Sequence, residues 1–330
     1  MTAVRLYTRR QLTNEIDILK AGAGFLRRVG ENMKSPVFQG LPTSIFDFAL
    51  LSRRQHWSKG PDQISPRRVQ FPSFSWAGWR GEAFWDLEDA SSSYEVLNMG
   101  TPESKRFNDW LNHHTWIEYY ELHPNNHTTR IWPVSEQESF SQLAVDFLGY
   151  RSREAPPFYL AEPTTEYKTG PTTTFPQPVR QYPVLQFWTM AAWYNMIQAS
   201  PQYIKLREAT ASWQFNLLDR SNQVCGRIIL DEIPSIPYEG PQEFLILSES
   251  SKNTSESYSH YRKRIDISWG CVKQRSFTDS EILEWNYFWV MLIVRDELGV
   301  AERRGLGKIV LSSLDYCCEA GPVWKEIILG

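Results

Sequence analysis

Cysteine is scarce in this chain: Cys225, Cys271, Cys317 and Cys318 are the only four among 330 residues. No two of them form a CxxC pair, and the adjacent Cys317 and Cys318 are poorly placed to bridge each other, so neither a zinc-ligand spacing nor a disulfide framework can be read. No run of about twenty apolar residues occurs, so no membrane-spanning helix is expected. The opening MTAVRLYTRRQLTNE lacks the apolar core of a secretory leader, which gives the expectation of a cytoplasmic, reduced protein. Charge of one sign is also missing. The formal net charge is only -3, whereas a nucleic-acid groove usually biases a whole domain toward the basic side. The pairs Arg53-Arg54, Arg67-Arg68 and Arg303-Arg304 and the triplet Arg262-Lys263-Arg264 therefore read as solvated faces or carboxylate partners, balanced by acids such as Asp86, Glu88 and Asp89. There is no GxSxG elbow, no phosphate loop and no HExxH helix. No nucleic-acid partner and no cofactor or metal are expected.

What the chain has in quantity is aromatic side chains: 14 Trp, 15 Tyr and 17 Phe. They are densest in FPSFSWAGWRG, residues 71–81, where Phe71, Phe74, Trp76 and Trp79 are separated by small residues and glycines. If extended, this stretch places Phe74, Trp76 and Gly78 on one face. Rings at this density must be buried or hold a ligand, because they carry much of a core's apolar area. Surplus tryptophan favours a wide apolar interior over a tightly packed helical bundle.

The rest of the chain supplies the frame. Leu12, Ile16, Leu19, Ala23 and Leu26 recur at helical spacing. With Asn14 or Thr13 as cap and Gly30 as stop, they predict one amphipathic helix over about 13–29. Gly22-Ala23-Gly24 lies inside that pattern and not after a strand, so it is no dinucleotide loop. Residues 52–70, with Pro61 and Pro66, read as a loop, followed by a return strand through Ala83-Phe84-Trp85. Four of the six histidines (His113, His114, His123 and His127) fall in residues 101–131. Pro124 and Asn125 deny the last two a helix on which to share a metal, so a hairpin with His-rich ends is the simpler reading.

Residues 137–149 predict a short helix. Residues 154–183 hold seven of the 20 prolines and read as a long covering loop. Beyond it the pattern turns to strands at 184–195, 213–218, 224–230, 244–247 and 285–294, a turn at Glu302–Gly307, a short return at 308–311 and a terminal strand at 323–329. The fold class expected is α+β: a mainly antiparallel barrel or sandwich with an N-terminal amphipathic helix and long loops. Residues 1–37 form a helical segment packed on a single β-rich body, 38–330.

Several stretches resemble the C-terminal region of fungal heterokaryon-incompatibility (HET) domain proteins. FQGLPTSIFDFALL at 38–51 and FPSFSWAGWRG at 71–81 are similar to that region's middle. CGRIILDE (225–232), EFLILSES (243–250), WNYFWVMLIV (285–294), RRGLGKIVL (303–311) and the closing WKEIILG follow in the same order. LYTRRQLTNEIDILKAGAG resembles the segment that follows the HET domain, and the HET domain itself has no counterpart here. The resemblance covers nearly the whole chain and implies no catalytic residues. The architecture is also similar to HET-derived Diels–Alderases of fungal terpenoid biosynthesis.

That likeness implies a cofactor-independent cyclase holding a small apolar polyene or terpenoid in a near-attack pose, with a hydrogen-bond donor on the dienophile carbonyl. The wall residues would be Trp76, Trp79, Trp188, Trp193, Tyr194 and Trp289, and the donors Arg80, His113 and His114. The competing expectations are a non-catalytic HET-related binding or interaction module, and a hydrolase or metal enzyme built on the histidines at 113–127.

Overall fold

Apolar side chains in unbroken succession need cover on both faces of a sheet, and this chain has three such runs. The computed structural model describes residues 2–10, 12–33, 35–55, 67–85, 117–131, 170–174, 180–198, 214–232, 238–251, 286–318 and 321–330. The described helices are α1 (Thr2–Thr8), α2 (Ile18–Ala21), α3 (Ala23–Met33) and α4 (Phe46–Ala49). The strands are β1 (Val37–Phe38), β2 (Leu41–Pro42), β3 (Ser52–Gln55), β4 (Glu82–Trp85), β5 (Tyr120–Leu122), β6 (Thr128–Arg130) and β7 (Val184–Gln198). They continue with β8 (Gln214–Leu218), β9 (Val224–Leu230), β10 (Gln242–Ser251), β11 (Asn286–Arg295), β12 (Ala301–Val310) and β13 (Val323–Leu329).

The main sheet is antiparallel apart from one parallel bridge, Ala301 to Leu329, and it closes on itself. Going round, β7 pairs with β8, β8 with β9, β9 with β12, β12 with β11, β11 with β10, and β10 returns to β7. The long β7 also pairs with β5 and β13 through its first half. A closed sheet of eight strands has an interior that side chains already fill, and six strands enclose less. The strands are buried on both faces: in Phe244–Ile246 and Val290–Leu292 successive, oppositely directed side chains are all fully buried, as are Phe187, Met190 and Phe288. The expected α+β, mainly antiparallel fold is the fold observed.

Four local readings change. The run from Glu302 to Gly307 is not a turn but most of β12. Its glycines serve close approach: a Cβ on Gly307 would lie 2.3 Å from the Arg227 carbonyl, and one on Gly305 2.7 Å from that of Ile229. The turn lies earlier, where Asp296 Oδ1 accepts the amides of Leu298 at 3.0 Å and Val300 at 2.8 Å. The single N-terminal helix is instead a 3-10 turn, α2 and α3, broken at Gly22 and continuing past Gly30 to Met33. Asn14 does cap the start, accepting the Ile16 amide. Upstream lies α1, which the sequence pattern did not show. It is tied to β4 by Arg5 and Arg9 on Glu82, and by the Ala83 amide on Thr8 Oγ1 at 2.8 Å. Residues 52–55 are strand β3, paired with β4, and not loop. The helix expected at 137–149 and most of the proline-rich loop lie outside the described residues.

One buried ion pair joins the barrel to the N-terminal layer. Arg303 of β12 and Asp231, just past β9, are 1% and 3% exposed in their side chains. The guanidinium meets the carboxylate at 2.7 and 3.0 Å and also donates to the carbonyls of Leu50, at 3.1 Å, and Ser52. Removing one member of such a pair strands the other charge. Arg303→Leu or Asp231→Ala is expected to cost about 3–5 kcal/mol, read from urea unfolding midpoints.

Candidate functional site

Two backbone-directed arginines shape the aromatic stretch. Arg67 Nη1 donates to the carbonyls of Arg68, of Phe71 at 2.7 Å and of Gly78 at 3.1 Å. Arg68 reaches the carbonyls of Ala77 and Trp79. With these bonds the segment cannot run extended. It folds into turns around a 3-10 helix at Trp76–Gly78, with Ser75 Oγ accepting the Ala77 amide. At Gly78 a Cβ would lie 2.3 Å from the Pro72 carbonyl, so the bend admits no side chain there. Ser73 docks the wedge on the barrel: its amide donates to the Gly330 carbonyl at 2.9 Å, and its Oγ accepts the Arg303 amide at 2.9 Å.

The proposed wall residues have separate engagements. Trp76 is buried, its Nε1 on the Gly40 carbonyl at 2.9 Å and its ring edge-on to Tyr7. Trp79 is buried, its Nε1 on the Ser73 carbonyl at 2.7 Å and its ring beneath Arg67. Trp188 is half-buried and donates to the Gly170 carbonyl at 2.9 Å. Half-buried Trp193 lies under Lys325 Nζ, 5.5 Å from the ring centre. Tyr194 is fully buried against Phe244, and buried Trp289 lies 4.3 Å from Lys308 Nζ. Among the described residues these rings are thus distributed over the wedge, β7 and β11, each with its own neighbours. Arg80 is spent on Glu15, which it grips with two bonds at 2.6 and 2.7 Å. That grip holds the Glu15 carboxyl below the usual range, against the opposing effect of burial. His113 and His114 lie outside the described residues.

His123 and His127 sit at the closed end of the β5–β6 hairpin, rings 5.6 Å apart, with His123 Nε2 bonded to Thr129 Oγ1. Among the described residues no group of three or more His, Cys, Asp and Glu is placed to hold a metal. The carboxylate pairing expected for the arginine pairs is seen where described: Arg67 faces Glu302, Arg68 faces Glu15, and Arg304 pairs with Glu232 and Glu302. Asp86, Glu88 and Asp89 lie outside the described residues.

One concave surface built of described residues is an open cleft of about 430 Å³ between α2–α3 and the β1–β2 hairpin. Leu19, Leu26, Pro36 and Val37 give it an apolar floor, and Arg27, Glu31 and Gln39 a polar rim. Its volume falls within the range of small-ligand sites. Gln39 and Gly40 both have positive φ, 49° and 82°, as a two-residue hairpin turn requires. On the far side of that turn the Trp76 ring lies where a Gly40 Cβ would project, at 2.7 Å. Sequence reading passed over this cleft because its lining comes from the helices and a six-residue hairpin, 37–42, with the residues before it, not from the tryptophans.

Compared with protein families, curated proteins and solved structures, the chain matches none.

Two predictions test this layer. Gly40→Ala adds both a disfavoured φ and a clash with Trp76, so it should lower stability by about 1–3 kcal/mol in urea unfolding. A second concerns Glu326 of β13, whose carboxylate accepts from the backbone and hydroxyl groups of Thr172 and Thr173 and from Gln186 Nε2. Burial raises its pKa, but these bonds, those of Thr173 foremost, outweigh burial and hold it below the ordinary carboxylate value. A depressed folded-state pKa stabilises fully above the unfolded value and loses its effect as pH falls through the folded value. Hydrogen exchange at the Thr172 and Thr173 amides should therefore lose protection below about pH 4 in the wild type. In Glu326→Gln this pH-linked change should be absent.

Proposed function

We propose that this chain is a non-catalytic binding module related to the C-terminal region of HET proteins, with the closed barrel as scaffold and the N-terminal layer as its recognition surface. The observation that carries this reading is how the wedge groups are used. The indole N–H groups of Trp76 and Trp79 go to backbone carbonyls, and Arg80 goes to Glu15. A cyclase would need those rings and that donor turned toward a substrate. The HET kinship is carried by the sequence resemblance alone; its stretches fall on α1, α2, the β1–β2 hairpin, α4, the wedge and strands β9 to β13. The cleft beside α3 is the binding site, suited to a small apolar ligand with one polar group that meets Arg27 or Gln39. The cyclisation reading has less support among the described residues, because each of its six rings is engaged with other neighbours.

Ala23 is exposed and lines the cleft, so Ala23→Trp fills it while sparing the core. Anilinonaphthalene sulfonate should saturate one site on the wild type with a rise in fluorescence. Ala23→Trp should lose that site with a stability change within about 0.5 kcal/mol. In the same preparation a linear terpenoid polyene should be recovered unchanged by mass spectrometry. A cyclised product above the buffer blank, or dye binding indifferent to Ala23→Trp, would overturn the proposal.

A further inference from the structure

A chain with a slight negative net charge carries one face of the opposite sign. Helix α1 brings Arg5 and, just past its end, Arg9 and Arg10. The wedge adds Arg68 and Arg80, and β3 adds Arg54, whose Nε lies 3.0 Å from where a Gly81 Cβ would stand. These groups are contiguous. Glu82 joins Arg5 and Arg9, Glu15 joins Arg80 and Arg68, and Tyr7 lies within the field of both Arg68 and Arg10. Among the described residues the carboxylates within this set are Glu15 and Glu82. Asp17 pairs with Lys20, Asp231 with Arg303 and Glu232 with Arg304. Six guanidiniums therefore face two carboxylates within the set, with Asp231 and Glu232 also acting on Arg54, and among the described residues the surplus is positive. Burial disfavours the charge on Arg54 and Arg68; Asp231 and Glu232 oppose this at Arg54 and Glu15 at Arg68, and repulsion among Arg54, Arg68 and Arg80 adds to the effect of burial. An incoming anion would relieve that repulsion.

The second observation is apolar. Leu6 and Ile16 are 56% and 55% exposed. Leu6 precedes the exposed Arg9 and Arg10 by three and four residues, near the end of α1. Ile16 follows Glu15. Phosphate backbones give such side chains nothing to bury against, whereas a peptide alternating acidic and aliphatic residues satisfies both.

We propose that the face formed by α1, Glu15–Ile16 and Arg80 docks an acidic peptide segment of a protein partner, its carboxylates on the arginines and an aliphatic side chain between Leu6 and Ile16. The proposal rests on the binding-module reading but uses a different surface from the cleft. Arg80 on Glu15 shows the two-bond geometry that an incoming carboxylate would repeat.

The test is fluorescence anisotropy with a short labelled peptide alternating Glu and Leu, run beside its Gln-for-Glu counterpart, single-stranded DNA of equal charge and phosphatidylserine vesicles. The Glu peptide should bind, weaken as salt rises, and lose roughly tenfold or more in affinity with the double variant Arg9→Glu, Arg10→Glu. If the double variant shifts the melting temperature, Arg10→Glu alone and Leu6→Ser serve, since both side chains are exposed; each should weaken binding severalfold. Ala23→Trp should bind the peptide as the wild type does. Equal binding of the Gln peptide, tighter binding of DNA or vesicles, or indifference to the charge reversal would overturn the proposal. Loss of binding with Ala23→Trp would transfer the peptide to the cleft and overturn this surface while sparing the module reading.

Discussion

The Arg303 guanidinium is the tie on which the assembly of barrel and N-terminal layer depends. It is held in plane by Asp231 and spends its remaining donors on the carbonyls of Leu50 and Ser52. Its own amide meets Ser73, which in turn grips Gly330. One residue of β12 thus fixes the α4–β3 corner, the aromatic wedge and the chain's last strand against the sheet. A buried pair of this kind contributes less to net stability than to the choice of one arrangement among several, since the cost of desolvating both charges offsets much of their attraction. The wedge is packed with rings that would bury well in more than one orientation. A directional polar anchor beneath it selects one.

The barrel and the N-terminal layer divide the labour. Within the barrel, hydrogen bonds run strand to strand and the interior is apolar, so little of it is free to meet another molecule. The layer made by α1 to α4 and the wedge is polar at its seams, carries the cleft, and presents helices whose outer faces are charged. Recognition placed on such a layer can vary without disturbing the closed sheet, as loops on a rigid scaffold commonly do.

Legibility followed the range of the interactions. Strands β7 and β11 were plain because runs of about ten residues that are apolar at nearly every position leave a buried strand as the economical solution. The β8–β9 turn was plain too, since Asp219 satisfies the amides of Ser221 and Gln223 locally. The misreadings share a cause. Gly305 and Gly307 looked like a turn, but they are small because a neighbouring strand passes close by. Helix α1 has no acidic first turn to announce it, and is held by Glu82 more than seventy residues on. In the wedge the extended run was only conditional, and what the sequence hid was the role of Arg67 and Arg68, read as solvated faces or carboxylate partners, in bending it. The candidate site was the least legible: the tryptophans drew attention through abundance, while the cleft and the basic face arise only once distant segments meet.

The fifteen-residue strand β7 touches β5, β8, β10 and β13 along its two edges. It is at once the stave that closes the ring and the spine of the sheet extension outside it. No outer piece can detach without exposing an edge of that stave, and the ring cannot open there without unseating the extension. Fraying is thereby discouraged, and the chain should come apart as a single cooperative block, with the amides at the centre of β7 the last to exchange with solvent.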